Sequence, residues 1–304
     1  MADNSSADTT AMTIISTRAA TSCGVAALGM WGMLATLTSL ASDIPPLQLT
    51  AMTLGIGGFI GVLSWLVRPG AWKALGAPRR AWALGIFGLF GYHLAYFTAL
   101  KLAPAADASL IAYLWPLLIV LMSSFLPGEH LRTVHVIGAG LGFLGAGMLV
   151  SGGGGFSPDG AYATGYAAAL ACAVIWSSYS VLSRLLGAVS SDSIAGFCLV
   201  SALLAMIAHL GFETTVWPGD ITGWLAILLL GLFPTGLAFY AWDVGMKHGD
   251  IQLLGVLSYG TPVISTLLLA LFGRATLTPT VLVAMGLVTL GAVIAARKSQ
   301  GATA

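Results

Sequence analysis

Ten long apolar runs, residues 21–40, 48–67, 81–100, 105–126, 134–150, 161–183, 193–211, 222–242, 251–272 and 279–296, dominate this 304-residue chain. A helix crosses the hydrocarbon core of a bilayer with about 20 such residues. Inside that core only helices and closed barrels satisfy every backbone N–H and C=O, and the runs are continuous rather than alternating. The expectation is an all-α integral membrane protein of ten transmembrane helices. Charge agrees: only 8% of the residues are charged, against about 25% in an ordinary soluble domain. Of the 12 basic and 11 acidic residues, only Asp107 falls inside a run, two residues past its start. Pro45-Pro46, Arg68-Pro69-Gly70, Pro127-Gly128-Glu129, Gly152 to Gly155 and Trp217-Pro218-Gly219-Asp220 supply turn chemistry between runs.

A formal net charge of +1 gives no basic field for a nucleic acid. The partners expected are the lipid bilayer and a small molecule. Cys23, Cys172 and Cys198 all lie in apolar runs without CxxC spacing, so they read as packing residues, and neither a metal nor a cofactor site is expected. The residues before Arg18 are polar and acidic rather than basic, so the first run is kept as a span rather than a signal peptide. With the N-terminus inside, Arg18, Arg68, Lys73, Arg79, Arg80, Arg132, Arg184, Lys247, Arg297 and Lys298 face the cytoplasm, against Lys101 and Arg274 outside. Cytoplasmic loops are enriched in Lys and Arg, which puts both termini in the cytoplasm.

Sliding the chain on itself by 146 residues aligns Lys101 with Lys247, Tyr113 with Tyr259, Pro116 with Pro262, Leu131 with Leu277, Gly140 with Gly286 and Gly145 with Gly291. A shift of 145 aligns Trp31 with Trp176. The organisation expected is a tail over 1–20, a first five-helix repeat over 21–150, a second over 161–296 and a tail over 297–304. Five is odd, so the second repeat enters from the opposite side and the repeats are inverted. Inverted repeats mark secondary transporters, whose substrate site lies near the midplane between the repeats.

Leu102-Ala103-Pro104, Tyr113-Leu114-Trp115-Pro116 and Ser258-Tyr259-Gly260-Thr261-Pro262-Val263, set in a five-plus-five layout, resemble the drug/metabolite transporter superfamily, the EamA-type permeases. Ala241-Trp242-Asp243-Val244-Gly245 with His248-Gly249-Asp250 adds a likeness to its bacterial inner-membrane exporters of aromatic amino acids. The resemblance implies a multi-pass inner-membrane exporter, not an enzyme, that works by alternating access through a central cavity as a monomeric unit. Its cargo would be amino acids such as Phe, Tyr and Trp, extending to Thr and Met. A multidrug or other small-metabolite exporter of the same superfamily is the alternative.

Under that reading few side chains are candidates for the pathway. His93 is the one ionisable group near mid-span, a costly position unless it faces protein or water. Tyr92 and Tyr96 share its helical face, and a neutral His bonded between helices is the structural alternative. Trp176 and Tyr179 form a deep stripe with Ser180 and Ser183. Tyr113, Trp115, Tyr240, Trp242, Ser258 and Tyr259 complete the set, although Trp82, Trp217, Trp224 and Trp242 sit near span ends, where tryptophans anchor to the interface. Pro116 and Pro262, at matching depths, are hinge candidates or static bends. Glycines 85, 88 and 91, and 138, 142 and 145, form stripes for close helix packing. An aromatic wall without a fixed charge suits a near-neutral zwitterion. A phosphate carrier calls for Lys or Arg on the path, and a proton-coupled cation exporter for a membrane-core Asp or Glu. Only His93 could couple transport to protons, so facilitated movement or weak coupling through His93 follows. Direction is not encoded.

Overall fold

The computed structural model describes residues 15–151, 159–273 and 276–296. Arg274, Arg297, Lys298, the turn Gly152 to Gly155, the C-terminal tail and most of the N-terminal tail lie outside them. Ten helices are long and apolar enough to cross a membrane: α1 (Thr17–Leu40), α2 (Pro46–Ser64), α3 (Arg79–Leu102), α4 (Ala105–Ser123), α5 (Thr133–Val150), α6 (Gly160–Leu186), α7 (Ser193–Phe212), α8 (Ile221–His248), α9 (Ile251–Leu271) and α10 (Pro279–Ala296). No strand occurs among the described residues. One expectation needs correction: α8 runs to His248 and α6 to Leu186, so Asp243, Lys247 and Arg184 lie inside helices with Asp107, as do Arg18, Arg79, Arg80 and Lys101 at helix ends.

Two interruptions recur in both halves. α3 carries a π turn at Phe87–Gly91 and α8 one at Phe233–Leu237, separated by the same 146 residues as the sequence repeat. A π turn inserts an extra residue and disturbs the carbonyl ladder. Polar groups step in: His93 Nδ1–H donates to Leu89 O at 2.6 Å, and Thr235 Oγ1 donates to Leu230 O at 3.0 Å. α4 breaks at Tyr113-Leu114 and resumes at Trp115, while α9 breaks at Ser258-Tyr259 and resumes at Gly260. Pro116 and Pro262 therefore do not kink continuous helices as expected. Each sits in the first turn of a new helical segment, where its missing N–H leaves no helix bond unmade.

The helices pair across the halves. α1 lies against α8 and, as its image, α6 lies against α3, while α2 pairs with α7 and α5 with α10. Glycines set the distances. A Cβ on Gly245 would fall 2.8 Å from Gly24 Cα, and one on Gly145 would fall 2.5 Å from Ala284 O. One on Gly138 would fall 2.7 Å from Gly291 O. Of the first glycine stripe, Gly85 abuts Phe197 and Gly88 abuts Tyr179, while Gly91 has only ordinary contacts. This interdigitation leaves a central space between α1, α2, α3, α4, α6, α8 and α9, with the end of α7 at its edge.

Candidate functional site

The central space is a cavity of about 1240 Å³. Its mouth is formed by the α1–α2 turn with Ser42 and Ile44, the end of α3 with Lys101 and Leu102, and the end of α7 with Phe212 and Glu213. All three lie on one face of the helix bundle. Lys101 and Glu213 are the charged residues among its lining, and both sit at this rim.

The wall is aromatic. Tyr92 and Tyr96 stack with planes 7° apart and centroids at 6.1 Å, as their i, i+4 spacing allows. Tyr92 also meets His93 edge-on at 5.3 Å and Trp176 at 5.3 Å. Tyr96 shares a 3.2 Å hydrogen bond with Ser109. Because Leu89 O occupies Nδ1–H of His93, its Nε2 is left as the acceptor in the neutral ring. Tyr113 and Trp115, flanking the α4 break, also line the cavity.

Beneath the cavity the aromatic cluster becomes solid core. Trp31 contacts Trp115 at 6.4 Å, Trp176 at 5.5 Å, Phe239 at 6.1 Å and Trp242 at 5.0 Å. Its indole N–H donates to Pro234 O at 2.8 Å, the carbonyl of the second π turn. The remaining pathway candidates from the sequence are outside the lining. Trp242 is 1% exposed and donates to Ser180 Oγ at 3.0 Å, which makes it neither wall nor interface anchor. Tyr179 is buried against Trp176, and Ser258 bonds back to Leu254 O. Tyr240 reaches across to Gly57 O at 3.2 Å. Tyr259 is fully buried and its hydroxyl accepts Leu117 N–H at 3.1 Å, capping the new segment of α4. Packing keeps these five out of the cavity lining, with a local or cross-helix hydrogen bond in each case but Tyr179, whose buried hydroxyl has no such partner among the described residues.

Of the span-end tryptophans, Trp217 and Trp224 stack at 5.9 Å and stay exposed, the geometry of an interfacial belt. Trp82 packs on Phe197 and donates to Leu75 O.

The structure adds lining residues that the sequence reading passed over: Trp31, Thr50, Phe97, Pro234, Phe239 and Thr261. Signals existed for two of them. Trp31 aligns with Trp176, and Phe233-Pro234-Thr235-Gly236 places a proline and a glycine inside an apolar run.

The face opposite the mouth is closed by polar clamps. Asp243 and Lys247 form an ion pair at 2.6 Å, with Ser191 Oγ donating to Asp243 at 2.6 Å and Lys247 Nζ donating to Val189 O at 2.8 Å. Arg184 joins Glu129 to the carbonyls of Met246 and Gly249, and Arg68 pairs with Asp192 at 2.7 Å. On the mouth face, Glu213 accepts Leu47 N–H and Gln48 N–H, capping α2, while His209 holds Glu213 and Thr215. The result is a vestibule open to one face and sealed to the other, able to bind a small molecule without bond-making chemistry.

Comparison with known proteins agrees with this architecture. The sequence profile of the EamA-like transporter family matches residues 19–151 and, a second time, residues 163–297. The chain is 50% identical over 284 residues to a protein of Ancylobacter novellus named aromatic amino acid exporter YddG, covering 92% of this chain and 98% of that one. It is 24% identical to the Salmonella typhimurium protein of the same name, over 83% of this chain and 88% of that one. A crystal structure 49% identical in sequence matches 95% of this chain and the whole of its own with a TM-score of 0.90. These relatives are transporters, not enzymes, and the doubled profile match follows the duplicated halves. The protein is a multi-pass membrane transporter, and the chain belongs to the EamA-like transporter family.

Proposed function

We propose that this protein exports aromatic and other neutral amino acids across the bacterial inner membrane by alternating access. One observation supports this reading above the others: the cavity is walled by Tyr92, His93, Tyr96, Tyr113, Trp115 and Trp176, with its charges, Lys101 and Glu213, confined to the rim. Aromatic faces take an aromatic side chain by stacking. Hydroxyls and the His93 Nε2 acceptor serve the ammonium and carboxylate of a zwitterion. The name of the Ancylobacter novellus relative points to the same cargo.

The charge bias of the loops puts both termini in the cytoplasm, and the cavity mouth then faces the periplasm. In this reading the structure is the outward-open state, and the cargo leaves through the mouth between α1, α3 and α7. Pro116 and Pro262 mark the segment boundaries of α4 and α9 about which the halves would move.

Release of radiolabelled phenylalanine, threonine and a cationic dye from cells with and without the protein tests the proposal. Phenylalanine export that rises with expression is the expected result. Dye release without amino-acid release overturns the substrate class and favours the multidrug alternative.

A further inference from the structure

The two halves are images of each other in sequence, yet the hydrogen bonds they make are not. Among the side chains that bridge the halves or their clamping turns, three have the same residue type at the image position. Tyr259 on α9 accepts Leu117 N–H at the start of the second α4 segment. Trp31 on α1 donates to Pro234 O in the α8 π turn. Lys247 at the end of α8 donates to Val189 O in the α6–α7 turn.

Each of these six groups has an image at the repeat register. Tyr259 maps to Tyr113 and Leu117 to Val263. Trp31 maps to Trp176 and Pro234 to Gly88, in the α3 π turn. Lys247 maps to Lys101, and the α6–α7 turn maps to the α1–α2 turn, residues 41–45. The image side chains Tyr113, Trp176 and Lys101 make no hydrogen bond among the described residues, and all three border the cavity. Their targets are near. Tyr113 and Val263 pack against the same buried cluster that contains Tyr259, and Ser42 and Ile44 of the α1–α2 turn share the mouth with Lys101.

A molecule with inverted repeats can reach its opposite-facing state by letting each half adopt the conformation of the other. The contacts made in one state then reappear at the image positions in the other. We propose that Tyr113, Trp176 and Lys101 are the second set of a matched pair of latches. When the cavity opens to the other face, Tyr113 caps Val263 N–H, Trp176 binds Gly88 O and Lys101 closes the mouth onto the α1–α2 turn. Tyr259, Trp31 and Lys247 release their partners in that state. This inference rests on the alternating-access reading above and names the groups that bias its two states.

The two sets must act with opposite sign. A cysteine at Ser265, on the cavity wall and outside both sets, reports the state when Cys23, Cys172 and Cys198 are replaced by alanine. A membrane-impermeant maleimide is applied from the mouth side in intact cells and from the other side in inverted vesicles. The ratio of the two labelling rates measures the balance of states. Tyr113→Phe and Lys101→Met lose no bond in this structure, so they should fold normally and each raise the mouth-side ratio about fivefold, the worth of one net hydrogen bond. Tyr259→Phe should lower it by a similar factor, and the Tyr113→Phe/Tyr259→Phe pair should return it close to the parent value. Ratios that move in the same direction for Tyr113→Phe and Tyr259→Phe, or that do not move with Tyr113→Phe and Lys101→Met, overturn the latch assignment alone. A cysteine at that position that is never labelled from the side opposite the mouth, in the parent or in Tyr259→Phe, overturns the alternating-access reading, and the latches with it.

Discussion

Asp243 and Lys247 sit one helical turn apart, almost wholly buried on the closed face. Hydropathy could not place them inside α8, because a charged pair ends an apolar run even where each member neutralises the other. Removing one partner strands the other charge, at a cost of about 3–5 kcal/mol, whereas replacing both with apolar groups is often neutral. Asp243→Asn is therefore expected to lower the thermal midpoint of the purified protein sharply, and Asp243→Leu/Lys247→Met to recover most of it. Equal losses for the single and the double variant, by thermal unfolding in detergent, would contradict the pairing. His93 is the opposite case, a residue legible from sequence because it is ionisable at mid-span and shares a face with two tyrosines. The structure adds what the sequence could not: a π turn whose Leu89 carbonyl fixes the ring tautomer. If Nε2 takes a hydrogen bond from the substrate ammonium, His93→Phe removes an interaction worth roughly 1.5–3 kcal/mol. The expected result is a rise of tenfold or more in the KM for phenylalanine with the thermal midpoint little changed; an unaltered KM places His93 in helix packing instead.

Helix number and order were readable because about 20 apolar residues are a physical requirement of the bilayer, independent of tertiary detail. The internal breaks were not, because a π turn or a two-residue interruption changes hydrogen bonding without changing hydropathy. Tyr113, Pro116, Tyr259 and Pro262 were visible as a repeated pattern, yet nothing local said that Tyr113 would face the cavity and Tyr259 the core. That difference belongs to the state of the whole bundle. Glycines show the same division between pattern and place. Gly140 and Gly145 both lie on α5 and both align with glycines in α10, but a Cβ on Gly145 would meet a backbone carbonyl of α10 while one on Gly140 meets nothing within 4 Å. Backbone cannot swing aside as a side chain can, so Gly145→Val should force α5 and α10 apart at a cost of about 1–3 kcal/mol. Gly140→Val, on the same helix, should leave stability and transport close to the parent. Matching losses in the two variants, measured by thermal unfolding and phenylalanine export, would show that helix propensity rather than interhelical contact sets the requirement.

At the scale of the molecule, the arrangement of charge bears on how transport is energised. Ion pairs cluster on the closed face, Lys101 and Glu213 stand at the rim, and no carboxylate lines the interior of the cavity among the described residues. A proton antiporter requires a group that binds a proton from one side and surrenders it to the other, and such a group must lie on the path. His93 is the titratable imidazole on the wall, and its Nδ1–H is committed to Leu89 O, which leaves Nε2 as the site that could take up a proton. No carboxylate shares the wall with it among the described residues. The amino-acid gradient itself is then the expected driving force. In proteoliposomes loaded with phenylalanine, an imposed pH gradient of one unit should change the initial efflux rate by less than about twofold, where full coupling of one proton would shift the equilibrium distribution tenfold. Running the same assay with His93→Gln separates the remaining routes. A pH-gradient response that disappears in this variant assigns weak coupling to Nε2. A strong response that persists means that protons cross by a group off the aromatic wall, and the facilitated mechanism fails.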